Sequence, residues 1–380
     1  MWGRLTYDPE ADPDTWRRAL RAEFQDGAAD AEAALASASR VLPLVTTAHG
    51  LSGSNNTYWP EMYTNMPIVD EAKNRLYRDT PAPRRFGTVT AFDPELFSRV
   101  DDCADALLGG TRGGKYSPVE VAVWLDALAK TAAEHVPAAV GRARGAAARR
   151  FETDVLIQSG LGRFFAAKLR AGVLWALYEK TGDQRAGQAA LEAYRAARRA
   201  WAELAERGKG VYRTDVTFGQ AAHLRGHWLD RLPAIDEDIA DMEKRLGEAA
   251  SPAPADPERV ARAIREVLAP SARPVVACRH ASPARFRPGA PLELQLAVEG
   301  AMARTFTLRF RHVNQAEDWR EEPMLRRDGG YAASIPADYT LAPYPLQYFF
   351  EGAEPSGARW LHPGFEPTLA NLPYFVVRRG

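Results

Sequence analysis

The chain has 380 residues, 46% of them hydrophobic and 26% charged, with 49 basic side chains against 49 acidic ones. At roughly 150 residues per domain, that length predicts two or three domains with ample apolar material for a core. Zero net charge argues against a binder of nucleic-acid phosphates, no run of about 18 apolar residues offers a membrane span, and Cys103 and Cys278 cannot build a disulfide framework.

The opening MWGRLTYDPEADPD lacks both the basic and the apolar region of a signal peptide. Trp2, Leu5 and Tyr7 put apolar side chains at the very beginning, so the expectation is a chain that continues a longer gene, with its compartment left open. Helix starts then recur as an N-cap acceptor followed by proline: Asp12-Pro13, Asp93-Pro94-Glu95, Ser117-Pro118 and Asp256-Pro257. Ser117 and Glu120 have the spacing of a capping box. Apolar stripes at helical spacing follow. They run through Leu96, Val100, Cys103 and Leu107; Val121, Trp124, Leu125 and Leu128; Leu161, Phe165, Leu169, Val173 and Leu177; Leu191, Tyr194, Trp201 and Leu204; and Ile235, Ile239, Met242 and Leu246. Gly182 and Gly208 mark stops between them. Residues 1–250 are therefore predicted to form an all-α helical bundle, interrupted at 41–92 by a long ordered loop rich in Asn, Pro, Thr and aromatics.

Ser251-Pro252-Ala253-Pro254-Ala255 opens a linker, 251–273, that holds one short helix. From 274 to 380 the apolar period changes to two, as in Leu292, Leu294, Leu296 and Val298, and again in Phe306, Leu308 and Phe310. Seven or eight short strands there predict an antiparallel β-sandwich of immunoglobulin or fibronectin type.

Motifs for known chemistry are sparse. His223 and His227 lie four residues apart, but Leu224 stands where a zinc protease needs its general-base glutamate, so no metal site is assigned. Gly109–Lys115 looks like a phosphate loop, yet it follows a helix and has Tyr116 after the lysine, which favours a flexible turn. No cofactor is implied. The most informative segment is 54–66. There Tyr58, Trp59 and Tyr63 offer ring faces, Asn55 and Asn56 offer amide donors and acceptors, and Glu61 adds a carboxylate, a mixture suited to sugar hydroxyls and C–H faces. The competing reading has the same aromatics anchoring the loop while the asparagines cap turns. His223, Arg225 and His227 are candidates for the edge of the same cleft. For Arg311–Trp319, a turn at a hairpin tip competes with a sugar-contacting loop.

Trp2-Gly3-Arg4-Leu5 through Tyr7-Asp8-Pro9, with Trp16, resembles the segment that leaves the (β/α)8 barrel of bacterial glycoside hydrolase-like proteins of the α-glucuronidase type. The strings Asn56–Glu61, Thr214–Gly219, His223–Trp228, Arg311–Gln315 and Tyr344–Tyr348 look like those of large bacterial proteins of that sort. The resemblance implies a helical domain that packs on a barrel, and catalytic carboxylates that belong to the barrel, which this chain has no room to form. No catalytic residue is carried over. The expected function is the non-catalytic C-terminal region of a carbohydrate-active protein that touches glycan through the polar aromatic loop. Two other readings stand beside it. One is an assembly module whose N-terminal face docks on a barrel, a partner or a second copy; the other is a stand-alone hydrolase using carboxylates such as Glu61, Asp70 or Glu152.

Overall fold

The computed structural model describes residues 5, 7–8, 10–50, 61–62, 66–70, 85–110, 113–141, 145–216, 225–248, 256–270, 272–273, 276–299, 304–314, 316–327, 329–355 and 357–380. Helices come first and strands last. The chain divides into two compact units, one formed by Met1–Asp105 with Ser117–Pro270, the other by Ala106–Tyr116 with Ser271–Gly380.

The helical unit contains α1 (Asp14–Phe24), α2 (Ala28–Ala38), α3 (Val41–Ala48), α4 (Val100–Gly109, whose end passes into the second unit), α5 (Pro118–Val140), α6 (Ala146–Thr181), α7 (Gln184–Gly208), α8 (Leu232–Gly247) and α9 (Pro257–Leu268). Start signals are realised where nothing overrides them. Ser117 and Glu120 form a reciprocal capping box, and Asp256 caps α9 through the Glu258 amide. Asp93-Pro94-Glu95 does not start a regular helix, although Leu96 and Phe97 are both buried. That segment closes a single turn through Leu96 N and Phe97 N on Asp93 O, and α4 begins only at Val100.

The 36-residue helix α6 is the axis of this unit, about 54 Å long at 1.5 Å per residue, and packs against both α5 and α7. Its buried residues fall on every side, so its amphipathic signature disappears even as its burial is greatest. Gly160 lets α7 approach closely: a Cβ there would sit 2.7 Å from Leu204 Cβ. At the other end, Phe24, Ala31, Ala34, Val136, Phe151 and Val155 form a satellite core between α1, α2, α5 and α6.

The second unit is a β-sandwich of two sheets over one core. Strands β1 (Cys278–Arg279), β3 (Leu292–Val298), β7 (Gly330–Ile335) and β6 (Leu325–Arg327) form one sheet in that order. The other has the order β2 (Arg285–Phe286), β10 (Phe375–Arg379), β8 (Leu346–Ala353), β4 (Thr305–His312), β5 (Arg320–Pro323), with β9 (Arg359–His362) also on β8. Leu294, Leu296 and Ile335 of the first sheet share a core with Phe306, Leu308, Phe310, Tyr348 and Phe350 of the second.

Two features differ from the expected pattern. The pairing is not wholly antiparallel, since β2 and β10, brought together from opposite ends of the unit, run parallel. Strand β8 also lacks period-two burial, because its outer face is covered: Gln347 and Phe349 are buried, with the Trp319 ring 4.9 Å from Phe349. Residues 113–116 are docked rather than loose. Arg273 Nη1 donates to Gly114 O at 2.6 Å, and its guanidinium lies 4.7 Å from the Tyr116 ring centroid.

Candidate functional site

Of the residues singled out from sequence, Asn55, Asn56, Tyr58, Trp59, Tyr63 and His223 lie outside the described residues. Glu61, Arg225 and His227 are described, and Trp228 ties two of them together. Its Nε1 donates to Glu61 O at 2.7 Å, and the His227 ring stands edge-on to it at 5.3 Å. Trp228 is itself fixed from below, where Trp201 Nε1 of α7 donates to Trp228 O at 2.8 Å. Gly208, the last residue of α7, leaves room for this packing, since a Cβ there would lie 2.9 Å from Trp228 Cε3. The Glu61 backbone is thus pinned while its carboxylate is exposed to solvent.

His227 caps a single 3-10 turn, Trp228–Arg231. Its Nδ1 accepts from Leu229 N at 3.2 Å, so the ring proton sits on Nε2, which is buried with no partner among the described residues. Arg225 points elsewhere. Its guanidinium pairs with Asp215 at 2.9 Å and helps close the chain between Asp215 and Gly226. The rim also gains Tyr212, edge-on to Trp228 at 5.2 Å and donating its hydroxyl to Asp154. Burial and the Asp154 carboxylate push the Tyr212 pKa up to about 12, so it remains a phenol at neutral pH.

Beneath the rim is a charged network that the sequence reading missed. Lys168 of α6 is fully buried; its Nζ donates to Met66 O at 2.8 Å and to the Tyr194 hydroxyl of α7 at 3.2 Å. Asp238 of α8 is buried too and accepts from Ile68 N at 2.9 Å and Val69 N at 3.3 Å. Burial pulls the Lys168 pKa down to about 7, opposed by Asp238, and pushes the Asp238 carboxyl upward, opposed by Lys168 and the two amides. The Phe86 ring lies 4.9 Å from Lys168 Nζ, and His49 stacks on Phe86 at 4.1 Å. Two helices, α6 and α8, thus grip one short segment, 66–69, through its backbone, and Tyr194 of α7 braces the lysine. The available signal was a lone lysine in Phe164-Phe165-Ala166-Ala167-Lys168-Leu169, on a helix with no polar face.

The described residues of the 311–319 segment contact one another. Arg311 lies against the Trp319 ring at 4.6 Å. His312 Nδ1 is 2.8 Å from Glu317 Oε2, which also accepts from Tyr339 at 3.0 Å. Arg311, His312, Asn314 and Glu317 are thereby engaged with one another and with Tyr339. Among the described residues, no group of three or more His, Cys, Asp or Glu side chains could hold a metal ion, and no helix is long and apolar enough to cross a membrane. Around Trp228 the Tyr212 hydroxyl and the Arg225 guanidinium are already paired and the His227 Nε2 is buried, which leaves the exposed Glu61 as the group open to solvent.

No protein-family model matches the chain, and no curated protein matches it. A structural match exists to a solved protein described as a GH138 enzyme targeting pectin rhamnogalacturonan II, with a TM-score of 0.52 at 12% sequence identity. It covers 65% of this chain and 37% of that one, so the chain corresponds to little over a third of the enzyme's length. At that identity the likeness is one of fold, over part of a glycoside hydrolase.

Proposed function

We propose that the chain is the non-catalytic helical and β-sandwich region of a carbohydrate-active, glycoside hydrolase-like protein, and that the rim around Trp228 contacts glycan. The observation that carries this reading is the Trp228 Nε1 bond to Glu61 O. It joins the aromatic, asparagine-rich segment to His227 and Tyr212, residues about 150 or more positions later in the chain. The fold shared with part of a pectin-directed enzyme supports a carbohydrate context. Tyr212 supplies a ring and Glu61 a free carboxylate, the usual means of orienting a sugar.

Calorimetry or a glycan array with wild type, Trp59→Ala and Glu61→Gln tests it. The expected result is glycan binding weakened about tenfold or more in both variants, with melting temperatures kept: Glu61→Gln loses a hydrogen bond to a charged group and Trp59→Ala a ring face. Indistinguishable behaviour on every glycan, with both variants folded, would sink the reading.

A second reading has its own observation. Tyr7, in the N-terminal segment that would dock, is 91% exposed. An assembly module would show concentration-dependent association by light scattering that Tyr7→Ser reduces; a strictly monomeric chain would count against it.

A further inference from the structure

The outer face of the four-stranded sheet carries a second site. Strand register builds it. Arg279 of β1 pairs with Ala297 of β3, and Arg327 of β6 pairs with Gly330 of β7. The β3–β7 register runs Leu294 to Ala333 and Leu296 to Tyr331, so its next step sets Ala297 opposite Gly330. A Cβ on Gly330 would lie 3.0 Å from Ala297 Cα, which confirms the neighbourhood. One row across the sheet therefore reads arginine, alanine, glycine, arginine.

The next row on this face holds Gln295 opposite Ala332, and the row beyond holds Glu293 opposite Ser334. Ala297 of β3 with Gly330, Ala332 and Ser334 of β7 leave a trough, with the guanidinium-bearing residues on the edge strands about 14 Å apart at the Cα atoms, three strand spacings. The trough is an open hollow of about 410 Å³, lined by Arg279, Arg327, Glu293 and Gln295 among others. That is within the size range of small-ligand pockets.

Arg327, Glu293 and the Gln295 amide make no side-chain hydrogen bond or ion pair with other described residues. Arg279 has one exposed contact, with Glu299 at 3.5 Å, which is worth little in water. Two planar guanidiniums that flank a floor of methyl groups and backbone match a carboxylate held by paired N–H donors. Gln295 and Glu293 beside them match hydroxyls, which both donate and accept.

We propose that this trough binds a carboxylate-bearing sugar, with Arg279 and Arg327 on the carboxylate and Gln295 and Glu293 on the hydroxyls. The site takes an acidic ligand and is made of strands alone. It rests on the carbohydrate reading only for the hydroxyl-bearing part of the ligand, and its residues are separate from those of the Trp228 rim.

Calorimetric titration of the full chain with D-glucuronate, D-glucose and acetate tests it, because only the first carries both features. Glucuronate is expected to bind at least about tenfold tighter than either of the others, and Arg279→Ala or Arg327→Ala to weaken it at least about tenfold, the range for hydrogen bonds to charged groups. Arg327→Lys keeps the charge and removes the fork, which guards against a misfolded alanine variant; it too should lose most of the preference for glucuronate. Equal binding of the three probes, or no binding, overturns the proposal, as does a glucuronate preference that survives both arginine substitutions. Binding lost only in Trp59→Ala overturns it while leaving the rim reading standing.

Discussion

His49 is fully buried, and its Nε2 lies 2.9 Å from Phe86 O. A carbonyl only accepts, so Nε2 carries the proton and Nδ1, buried with no partner among the described residues, stays bare. Burial takes the folded pKa from 6.5 down to about 4, with the nearby Lys168 charge adding to the effect. Between those values the unfolded chain protonates His49 and the folded chain does not, so the unfolded state binds more protons and stability falls as pH drops through the window. The full contribution is about 3 kcal/mol. Urea unfolding at pH 7 and at pH 4.5 should show this loss, and His49→Gln, which keeps a donor for Phe86 O, should remove most of it. An equal loss in the variant would place the acid sensitivity elsewhere. Lys168 poses the complementary case. Lys168→Met leaves Asp238 a buried carboxylate without its cation, at a cost of about 3–5 kcal/mol. Combining it with Asp238→Leu should cost less than the sum of the two single changes, because neither charge is then stranded; strict additivity in a double-mutant cycle would mean that the two do not interact.

Helix α6 shows how sequence and packing can pull apart. Gly160 looks like a helix weakener, and alanine has the better intrinsic propensity. The added methyl would sit 2.7 Å from Leu204 Cβ, however, so Gly160→Ala is expected to destabilise by about 1–3 kcal/mol through overpacking. Thermal melts should show this loss, and shaving the neighbour with Leu204→Ala should make the alanine at 160 tolerable. At α5, Ser117→Ala removes an acceptor for Glu120 N and a donor to its carboxylate, costing about 1 kcal/mol. These elements also show what could be read beforehand. Caps are local chemistry, so Ser117 and Asp256 announced their helices correctly. Asp93 announced one that goes no further than a single turn closed on its carbonyl. A one-sided strand such as β3 alternates and was legible, whereas β8, covered on both faces, does not alternate. The candidate site was legible only in pieces. Glu61 and His227 carry functional groups of recognisable type, but Trp228, Tyr212 and Asp154 join them through contacts that local spacing does not encode.

At the scale of the molecule, the link between the buried network and the proposed binding rim lies in one stretch of backbone. Glu61 is held from the rim side by Trp228, while a few residues later Met66, Ile68 and Val69 are held from the core side by Lys168 and Asp238. These anchors come from α6, α8 and the turn before α8, so the segment is stable only when those parts of the helical unit are assembled. The Ile68 and Val69 amides donate to a carboxylate rather than to neighbouring backbone, so their protection reports Asp238 directly. In hydrogen exchange they should open only with the unit as a whole. Asp238→Asn keeps the size and one acceptor oxygen but removes the charge that faces Lys168. It should raise exchange at Ile68 and Val69 by about 100-fold or more, the scale of a buried bond to a charged group, with α5 far less affected. If the rim binds glycan, the same variant should also weaken binding although Asp238 is buried, because the loop that presents Glu61 has lost its inner anchor. Fast exchange at Ile68 and Val69 with full glycan affinity would separate the two, leaving the network a stabilising device that the rim does not need.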